Sequence, residues 1–293
     1  MNGHNGLLLI DKPQGSTSFK IVNTIRKQLN LAKAGHAGTL DRFAEGLLVV
    51  LTGKMTRLAP FFTGLEKEYL ATFRFGVETD TLDPEGHLIA ESEIPSIDVI
   101  REKIKTFQGK IKQQPPVFSA VHVNGERAYK LARKGKKIDL PEREVFIKGF
   151  SILGYAPPDL DVKIRCSKGT YIRSLARDLS RACCSRAYVA SLQRISVGPF
   201  SLNEAVAVED IIIERDLRTG AECFSGLPMV KLCEVKNKYI KDILNGKPIQ
   251  DSFLKEQYDG TGYCALFTGE KKFLALTYRS SGGFSYNFVG GMV

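Results

Sequence analysis

The sequence predicts an α+β fold, in which a mixed or antiparallel sheet is flanked by helices and is followed by a small β-rich C-terminal domain. Segments with strand-like and helix-like periodicity alternate irregularly along the 293 residues, without the regular rhythm of a parallel sheet. After about Pro228 the segments become short and strand-like, and glycine-containing turns separate them. We therefore expect two domains, residues 1–227 and residues 228–293.

In the first half of the chain, apolar runs and alternating patterns mark strands, and hydroxyl side chains mark where a helix begins. The predicted strands are residues 6–13, 47–51 and 68–77. Residues 16–18 supply hydroxyl N-caps for a helix that follows them. The apolar spacing over residues 97–107 predicts a second helix, which Gly109 ends.

The second half continues with a strand, a helix and the C-terminal segments. Residues 160–166 alternate apolar and charged side chains, which predicts a half-exposed strand with its charges on the open face. Gly169 then turns the chain, and Thr170 is the expected N-cap of a helix. The buried stripe of this helix is expected to be Ile172, Leu175, Ala176, Leu179 and Cys183. Residues 236–245 predict a short helix, and residues 264–276 predict a β-hairpin.

The charge balance favours a polyanionic partner. The net charge is +10 and the pI is about 9.2, so the protein attracts polyanions at long range. Basic residues crowd two stretches. The first contains Arg127, Lys130, Arg133, Lys134, Lys136 and Lys137, and the second contains Lys163, Arg165, Lys168, Arg173, Arg177, Arg181 and Arg186. Either cluster is a nucleic-acid surface or a solvated helix face, and composition alone does not separate these alternatives.

Cysteine, histidine and hydropathy patterns exclude other classes. The six cysteines form no C-x-x-C pair and the four histidines are scattered, so no zinc site is expected and the thiols are expected to be reduced. No apolar run approaches the ~20 residues of a membrane span. The first residues have neither the basic nor the apolar region of a secretory signal. We expect a cytoplasmic protein.

One glycine-rich segment carries the strongest chemical signal. Residues 35–41 place two glycines, His36 and Thr39 directly before Asp41. Glycine lets such a loop bring its backbone close to a ligand. An aspartate in a loop is also a common Asx-turn or helix cap, and His36 has a structural alternative as well. The segment at Lys54 is no P-loop, because Met55 stands where that motif needs serine or threonine.

The segment from Gly35 to Leu48 resembles the catalytic signature of the TruB family of tRNA pseudouridine synthases, G-H-T-G-T-L-D-P-x-A-T-G-x-L. Five further blocks are similar to the family in the same order, over about residues 1–205. They are residues 7–18 with K-P-x-G, Lys67-Glu68-Tyr69, residues 113–135 beginning with Gln113 and Pro116, residues 166–175 around Arg173, and Leu192-Gln193-Arg194 with Gly198 and Phe200. The C-terminal part loosely resembles a PUA-like RNA-binding module.

This resemblance implies isomerisation of uridine to pseudouridine in the TΨC loop of tRNA, at position 55. The reaction breaks the C1′–N1 bond and rejoins the base through C5, so no cofactor and no metal are expected. Asp41 matches the essential aspartate, acting either as a nucleophile or as a base on the ribose. Arg173 matches the arginine that pairs with it. Tyr69 matches the tyrosine that stacks on the target base and assists proton removal at C5.

The resemblance also implies a flipped-out substrate base and an RNA-contacting surface. His36 matches the residue that fills the space vacated by the flipped nucleotide, and Leu192 is expected to line the pocket. The other expected substrate contacts are Gly38, Lys12, Lys67, Lys130, Arg133 and Lys168. The partner is expected to be the T-stem-loop of tRNA, bound by a monomer without an obligatory protein partner.

Several positions depart from the family pattern, and other functions remain alternatives. Arg42 replaces a proline, which is expected to free the loop after Asp41, and Glu45 replaces a threonine and adds a like charge nearby. Ala37, Phe118 and His122 also differ. The alternatives are a non-catalytic tRNA-binding chaperone, a guide-RNA-dependent relative that modifies ribosomal RNA, and a basic ribosomal protein.

Overall fold

The computed structural model describes residues 4–119, 122–123, 126–127 and 140–290. In this part of the chain the α-helices are α1 (Ser18–Gln28), α2 (Ala59–Thr63), α3 (Ile97–Ile104), α4 (Ile172–Ala182), α5 (Ile213–Asp216) and α6 (Ile240–Leu244). Short 3-10 helices span Gly53–Leu58, Lys105–Phe107, Leu202–Glu204, Val208–Asp210, Gly220–Phe224, Asn237–Tyr239 and Asp251–Phe253.

The strands of the described residues include the predicted ones and others that were not predicted. They are β1 (Gly6–Lys12), β2 (Ala34–His36), β3 (Glu45–Thr52), β4 (Lys67–Phe75), β5 (Val77–Thr79), β6 (Leu88–Glu91), β7 (Gly109–Gln113), β8 (His122–Val123), β9 (Glu126–Arg127), β10 (Arg143–Ala156), β11 (Asp159–Cys166), β12 (Ala187–Val197), β13 (Phe200–Ser201), β14 (Val230–Glu234), β15 (Gly262–Phe267), β16 (Phe273–Ser280) and β17 (Gly283–Val289). The four strands predicted before residue 167 correspond to β1, β3, β4 and β11.

A nine-stranded mixed sheet forms the centre of the molecule, which confirms the predicted α+β fold. Seven strands follow the order β1-β3-β12-β4-β11-β10-β7, while β2 pairs with β3 and β13 pairs with β12. All these pairs are antiparallel except β3 and β12, which run parallel. Helices α3 and α4 cover one face, where Phe73, Phe150 and Leu175 belong to one buried cluster.

The opposite face of β4 and β11 carries ion pairs between strands. Lys163 pairs with Glu68 at 3.3 Å, and Arg165 pairs with Glu66 at 2.9 Å. Arg74 donates two hydrogen bonds to Asp159. The charges expected on an open face are therefore present, but acidic neighbours neutralise them.

The small C-terminal sheet shares its core with the large one. Its strands follow the order β14-β15-β16-β17, and β15 and β16 form the predicted hairpin. The ring of Phe224 lies 4.8 Å from Phe273 of the small sheet and 6.1 Å from Phe62. The same buried cluster contains Leu9 of β1. The domain boundary at residues 227 and 228 stays a prediction, since buried contacts cross it.

Helix α4 starts differently from the prediction, which is wrong about Thr170. The N-cap is Tyr171, and its amide donates to Oε1 of Gln113 at 2.8 Å. The Thr170 hydroxyl instead donates to the Ser167 carbonyl at 3.0 Å. The reason is local: Gly169 has φ +81°, which folds residues 167–170 into a tight turn that the hydroxyl closes. Thr17 does cap α1 as expected, accepting from the Lys20 amide.

Two features are absent from the described residues. No helix among them is long and apolar enough to cross a membrane. Within the same ranges, no three histidine, cysteine or acidic side chains come together in a group that could hold a metal ion.

Because Phe224 joins the two sheets, we predict that Phe224→Ala lowers the free energy of unfolding by about 3–5 kcal/mol, as truncation of a buried phenylalanine does. Phe146→Ala is the control, because half of that side chain is exposed and its loss should cost less than about 0.5 kcal/mol. Urea denaturation followed by circular dichroism measures both. Two separate transitions, with the first half of the chain unaffected by Phe224→Ala, would contradict a shared core.

Candidate active site

Asp41 lies in the loop between β2 and β3, and hydrogen bonds fix the residues on both sides of it. The hydroxyl of Ser18 accepts from the Leu40 amide at 2.9 Å and donates to the Leu40 carbonyl at 3.1 Å. After Asp41, the carbonyl of Arg42 accepts from the Gly15 amide at 2.8 Å. The N-terminal segment therefore holds the loop immediately before and after Asp41, and its carboxylate has a defined position.

Lys12 is a clamp for the same loop. Its side chain is fully buried, and its ammonium donates to the carbonyls of Pro13 at 3.0 Å, Ser16 at 2.7 Å and Ala44 at 2.5 Å. Burial lowers the pKa of Lys12 to about 8. Backbone carbonyls bind its ammonium and none of its side chain is exposed, so contact between Lys12 and the substrate stays a prediction.

Arg173, in the first turn of α4, forms an ion pair with Asp41. Its Nε lies 2.8 Å from Oδ2 of Asp41, although the N–H bond is not directed along that line. The Arg173 side chain is 4% exposed, whereas that of Asp41 is 37% exposed. Nη1 donates to the Thr81 carbonyl at 2.8 Å and Nη2 to the Phe118 carbonyl at 3.0 Å. A rigid, buried cation thus faces a carboxylate that solvent or a ligand can reach.

Asp83 is a second carboxylate on the same arginine, and the sequence analysis missed it. Its Oδ2 lies 3.3 Å from Nη1 of Arg173. Its Oδ1 accepts from the Thr81 hydroxyl at 2.6 Å and from the Glu85 amide at 3.0 Å. Burial raises the pKa of Asp83, while Thr81 and Arg173 lower it in part. In the sequence, Asp83 stands before Pro84 in a segment typical of turns, and no local pattern indicates its partner 90 residues away.

A cavity of about 270 Å³ lies beside the ion pair and brings together residues that are far apart in the sequence. Six of the predicted site residues line it: Asp41, Tyr69, Arg173, Gly38, Leu192 and Lys67. They come from one loop, two strands and the start of α4. The cavity therefore has one half-exposed carboxylate, an aromatic ring and several cationic groups in its wall.

The residues considered next were also expected to contact the substrate, but none of them is part of the described cavity wall. His36 ends β2 and is not part of the cavity wall; burial, and secondarily Arg194, lowers the pKa of its imidazole and favours the neutral form. Lys168 is exposed next to the lining residues 167 and 169, and its ammonium has no partner among the described residues. Lys130 and Arg133 lie outside the described residues.

Tyr69 and Lys67 project from β4 into the cavity wall. The ring of Tyr69 is buried, and burial raises the pKa of its phenol, with Arg194 acting in the opposite direction. The ammonium of Lys67 donates to the carbonyls of Thr63 and Leu65, both at 2.6 Å. Burial, and after it the charge of Arg194, lowers the pKa of Lys67 to about 8. The cavity therefore favours a neutral phenol and an ammonium held by backbone oxygens.

Arg194 also lines this cavity and was not among the predicted site residues. It is 1% exposed and donates to the carbonyls of Leu47 and Gly38 at 2.7 and 3.2 Å. Its only sequence signal was membership of the segment that also contains Leu192. An arginine on an alternating strand is ordinarily expected to face solvent.

Arg42 and Glu45, two residues that differ from the family pattern, form hydrogen bonds in the structure. Nε of Arg42 donates to the Gly15 carbonyl at 3.1 Å and lies 3.5 Å from Oε1 of Glu85. The expectation that loss of the proline frees the loop is therefore wrong: Arg42 ties the loop to two neighbouring segments. Glu45 is exposed and accepts a hydrogen bond from Gln193 at 3.3 Å.

The fold is shared with proteins of known structure. A solved structure described as a Cbf5-Nop10-Gar1 complex superposes with a TM-score of 0.76 at 23% sequence identity, over 98% of this chain and 85% of that chain. A structure described as an H/ACA RNP bound to a substrate RNA containing 2'-deoxyuridine gives the same TM-score at 22% identity. At this identity the likeness establishes the fold alone.

Sequence comparison identifies the family. The family model for TruB family pseudouridylate synthase (N terminal domain) matches residues 26–172. The tRNA pseudouridine synthase B of Borreliella burgdorferi (strain ZS7) is 50% identical over 210 residues, which cover 71% of this chain and 74% of that protein. The protein of the same description from Clostridium kluyveri is 37% identical over 270 residues, covering 91% and 93%. The chain therefore belongs to the TruB family of pseudouridylate synthases and is an enzyme.

The Arg42 side chain connects the Asp41 loop to Gly15 and to Glu85. We therefore predict that Arg42→Ala increases the local mobility of this loop. Loss of a hydrogen bond worth about 1 kcal/mol corresponds to about fivefold faster amide exchange. Hydrogen–deuterium exchange of peptides covering residues 38–46 measures this. Arg101→Ala, which removes an exposed arginine paired with Asp98 on α3, is the control. Equal protection of the loop in wild type and Arg42→Ala would contradict the assignment.

Proposed function

We propose that this enzyme converts uridine to pseudouridine in tRNA, at position 55 of the TΨC loop. The observation that carries the proposal is the half-exposed Asp41 carboxylate held against buried Arg173 in a cavity whose wall includes Tyr69. The sequence relatives described as tRNA pseudouridine synthase B support the substrate class. We also propose that it acts as a monomer without an obligatory protein partner.

The proposed reaction needs a charged carboxylate next to the ribose. The C1′–N1 bond breaks, the base turns, C5 bonds to C1′, and the proton leaving C5 is balanced by the one that N1 gains. Asp41 either attacks covalently or removes a ribose proton, and both routes require its ionised form. Arg173, 2.8 Å away, stabilises that form in a partly desolvated site.

Asp83 gives Arg173 a second anionic neighbour, which matters when Asp41 reacts. A buried guanidinium left without partners would cost several kcal/mol. Asp83 at 3.3 Å and the carbonyls of Thr81 and Phe118 keep it compensated whichever way Asp41 turns. In this proposal Asp41 can leave Arg173 for the substrate at a smaller cost than in an isolated ion pair.

Tyr69 and Leu192 are proposed to receive the flipped uracil. Both line the cavity, and an aromatic face recovers part of the stacking that the base loses when it leaves the RNA. His36 is proposed to stand near the space that the nucleotide vacates. Its neutral imidazole adds no charge there.

RNA contacts are proposed at the rim of the cavity and on the C-terminal sheet. Of the second basic cluster, Lys163, Arg165, Arg177 and Arg181 pair with acidic side chains. Lys168 remains without a side-chain partner among the described residues. We propose that it meets a phosphate, together with Lys130 and Arg133 of the first cluster and the PUA-like residues 228–293.

We predict that Asp41→Asn abolishes product formation while RNA binding survives. The amide keeps the size of the side chain but can neither attack nor take a proton, so pseudouridine formation should fall by about 10³-fold or more. Affinity for an in vitro transcribed tRNA should change by less than about tenfold, ~1.4 kcal/mol. Single-turnover product formation and filter binding on the same transcript measure the two effects.

Asp161→Asn is the matched control, because Asp161 is exposed and receives a hydrogen bond from Thr72 on the sheet face away from α4. It should behave as wild type. Full activity of Asp41→Asn would contradict the catalytic role. Binding without any product from the wild type would favour the non-catalytic chaperone instead.

We predict that Lys168→Ala reduces the salt dependence of tRNA binding. Each lost phosphate contact flattens the slope of log affinity against log salt by about 0.7–0.9. Arg165→Ala is the matched control, since Glu66 already neutralises Arg165 and little counterion release is lost with it. Titration of folded tRNA at several salt concentrations measures both slopes, and equal slopes for the two variants would place the phosphate elsewhere.

A further inference from the structure

Arg194 occupies the position where the two halves of the large sheet meet. Strand β12 runs antiparallel to β4 and parallel to β3, and Arg194 pairs with Tyr69 on one side and with Gly46 on the other. The register of β12 shifts between Arg194 and Ser196. The backbone of this one residue therefore adjoins both the strand of Tyr69 and the strand that follows the Asp41 loop.

The side chain of Arg194 is hydrogen-bonded to residues before and after Asp41. Nε donates to the Leu47 carbonyl at 2.7 Å, Nη2 to the Gly38 carbonyl at 3.2 Å and Nη1 to the Thr39 carbonyl at 3.5 Å. Two acceptors precede Asp41 and one follows it, so one planar group joins both ends of the loop. Arg194 forms no salt bridge with any described residue, and carbonyl dipoles compensate its buried charge.

Two glycines of the loop have conformations that this arrangement requires. Gly38 has φ +111°, and a Cβ there would lie 3.6 Å from Nη1 of Arg194. Gly46 has φ +97°, and a Cβ there would lie 2.5 Å from the Arg194 carbonyl oxygen, which is too close. Both positive φ values are strained for other residues. The shape of the loop is thus fitted to Arg194 at both of its ends.

Arg194 also lies next to the second reacting side chain. Its backbone pairs with that of Tyr69 across β12 and β4, and its charge opposes the rise in the pKa of Tyr69 that burial causes. Asp41 acts on the ribose and Tyr69 meets the base in the proposed reaction, so their relative position decides whether one bound uridine can contact both. A displacement of about 1 Å in such an arrangement can cost about 100-fold in rate.

We propose that Arg194 is a positioning residue that sets the separation of Asp41 from Tyr69, because its guanidinium holds the Asp41 loop while its backbone pairs with that of Tyr69 across β12 and β4. The inference rests on the proposed function for its catalytic consequence. The contact itself is independent of that function, and it distinguishes Arg194 from an arginine that only fills space.

The test compares Arg194→Met, which keeps the volume but removes charge and donors, with Arg194→Lys, which keeps the charge and loses the planar fork. We expect single-turnover pseudouridine formation to fall about 100-fold in Arg194→Met and about tenfold in Arg194→Lys. Affinity for tRNA should stay within about threefold of wild type for both. Arg74→Met, at an exposed ion pair with Asp159, is the matched control and should keep wild-type activity.

A second measurement reads the contact without catalysis. The phenol titration of Tyr69, taken as the ultraviolet difference between each protein and its Tyr69→Phe form, should move to higher pH in Arg194→Met, because the cation that lowers the pKa is gone. Exchange of amides 38–46 should accelerate in the same variant. If Arg194→Met does not fold, Arg194→Lys alone decides, through its tenfold loss and faster loop exchange.

The possible results test the positioning role of Arg194 separately from the proposed function. Wild-type turnover, loop exchange and Tyr69 titration in a folded Arg194 variant would overturn the positioning role. A general loss of tRNA affinity matching the loss of turnover would also overturn it, since that indicates disruption of the whole site. A wild-type protein that forms no pseudouridine would refute the proposed function instead, while the loop exchange and the Tyr69 titration would still test the contact.

Discussion

Buried positive charge is the constraint around which the active site is organised. The ammonium groups of Lys12 and Lys67 and the guanidinium groups of Arg173 and Arg194 are all buried. An uncompensated buried cation costs several kcal/mol, so each must be surrounded by oxygen atoms. Most of those oxygens are backbone carbonyls of loops, and the loops are consequently drawn into fixed positions around the cations.

This arrangement explains how a loop rich in glycine can present a carboxylate accurately. Lys12 holds the carbonyl of Ala44, and Arg194 holds those of Gly38 and Leu47. Flexible residues permit the backbone conformation, and the cations then select one conformation from those permitted. The cations around Asp41 are already bound to oxygen atoms, and the Asp41 carboxylate itself is partly exposed. A ligand can therefore reach Asp41, whereas Asp83 is buried.

The sequence indicated the elements with periodic patterns and the residues with a family motif. Strand β4 alternates cleanly, so its buried face and Tyr69 were predictable, and the pairing of Asp41 with Arg173 followed from the resemblance. Thr170 failed as a cap because a neighbouring glycine created a turn that local propensity does not describe. The burial of Lys12 and Arg194 was not predicted, because a cation that carbonyls of other segments compensate looks, in sequence, like one that faces solvent.

The basic clusters illustrate the same limit at the surface. The lysines and arginines of residues 163–186 left two alternatives open, a nucleic-acid surface and a solvated helix face. The acids that neutralise several of them, Glu66, Glu68 and Glu78, are separated from them by about a hundred residues of chain and come close only through sheet pairing or across the fold. Charge density along a sequence is therefore a poor guide to the field that a folded surface presents.

The aromatic contacts of Phe224 have a consequence for how an elongated RNA would be selected. The C-terminal sheet shares a buried cluster with β1 and β3, which belong to the same large sheet as the strands that line the cavity, so the span between the two parts cannot adapt as a flexible linker would. If both parts bind RNA as proposed, their two contact points are a fixed distance apart. Simultaneous engagement then depends on the length of the stem between the two contact points, and RNA of another length gains only one contact.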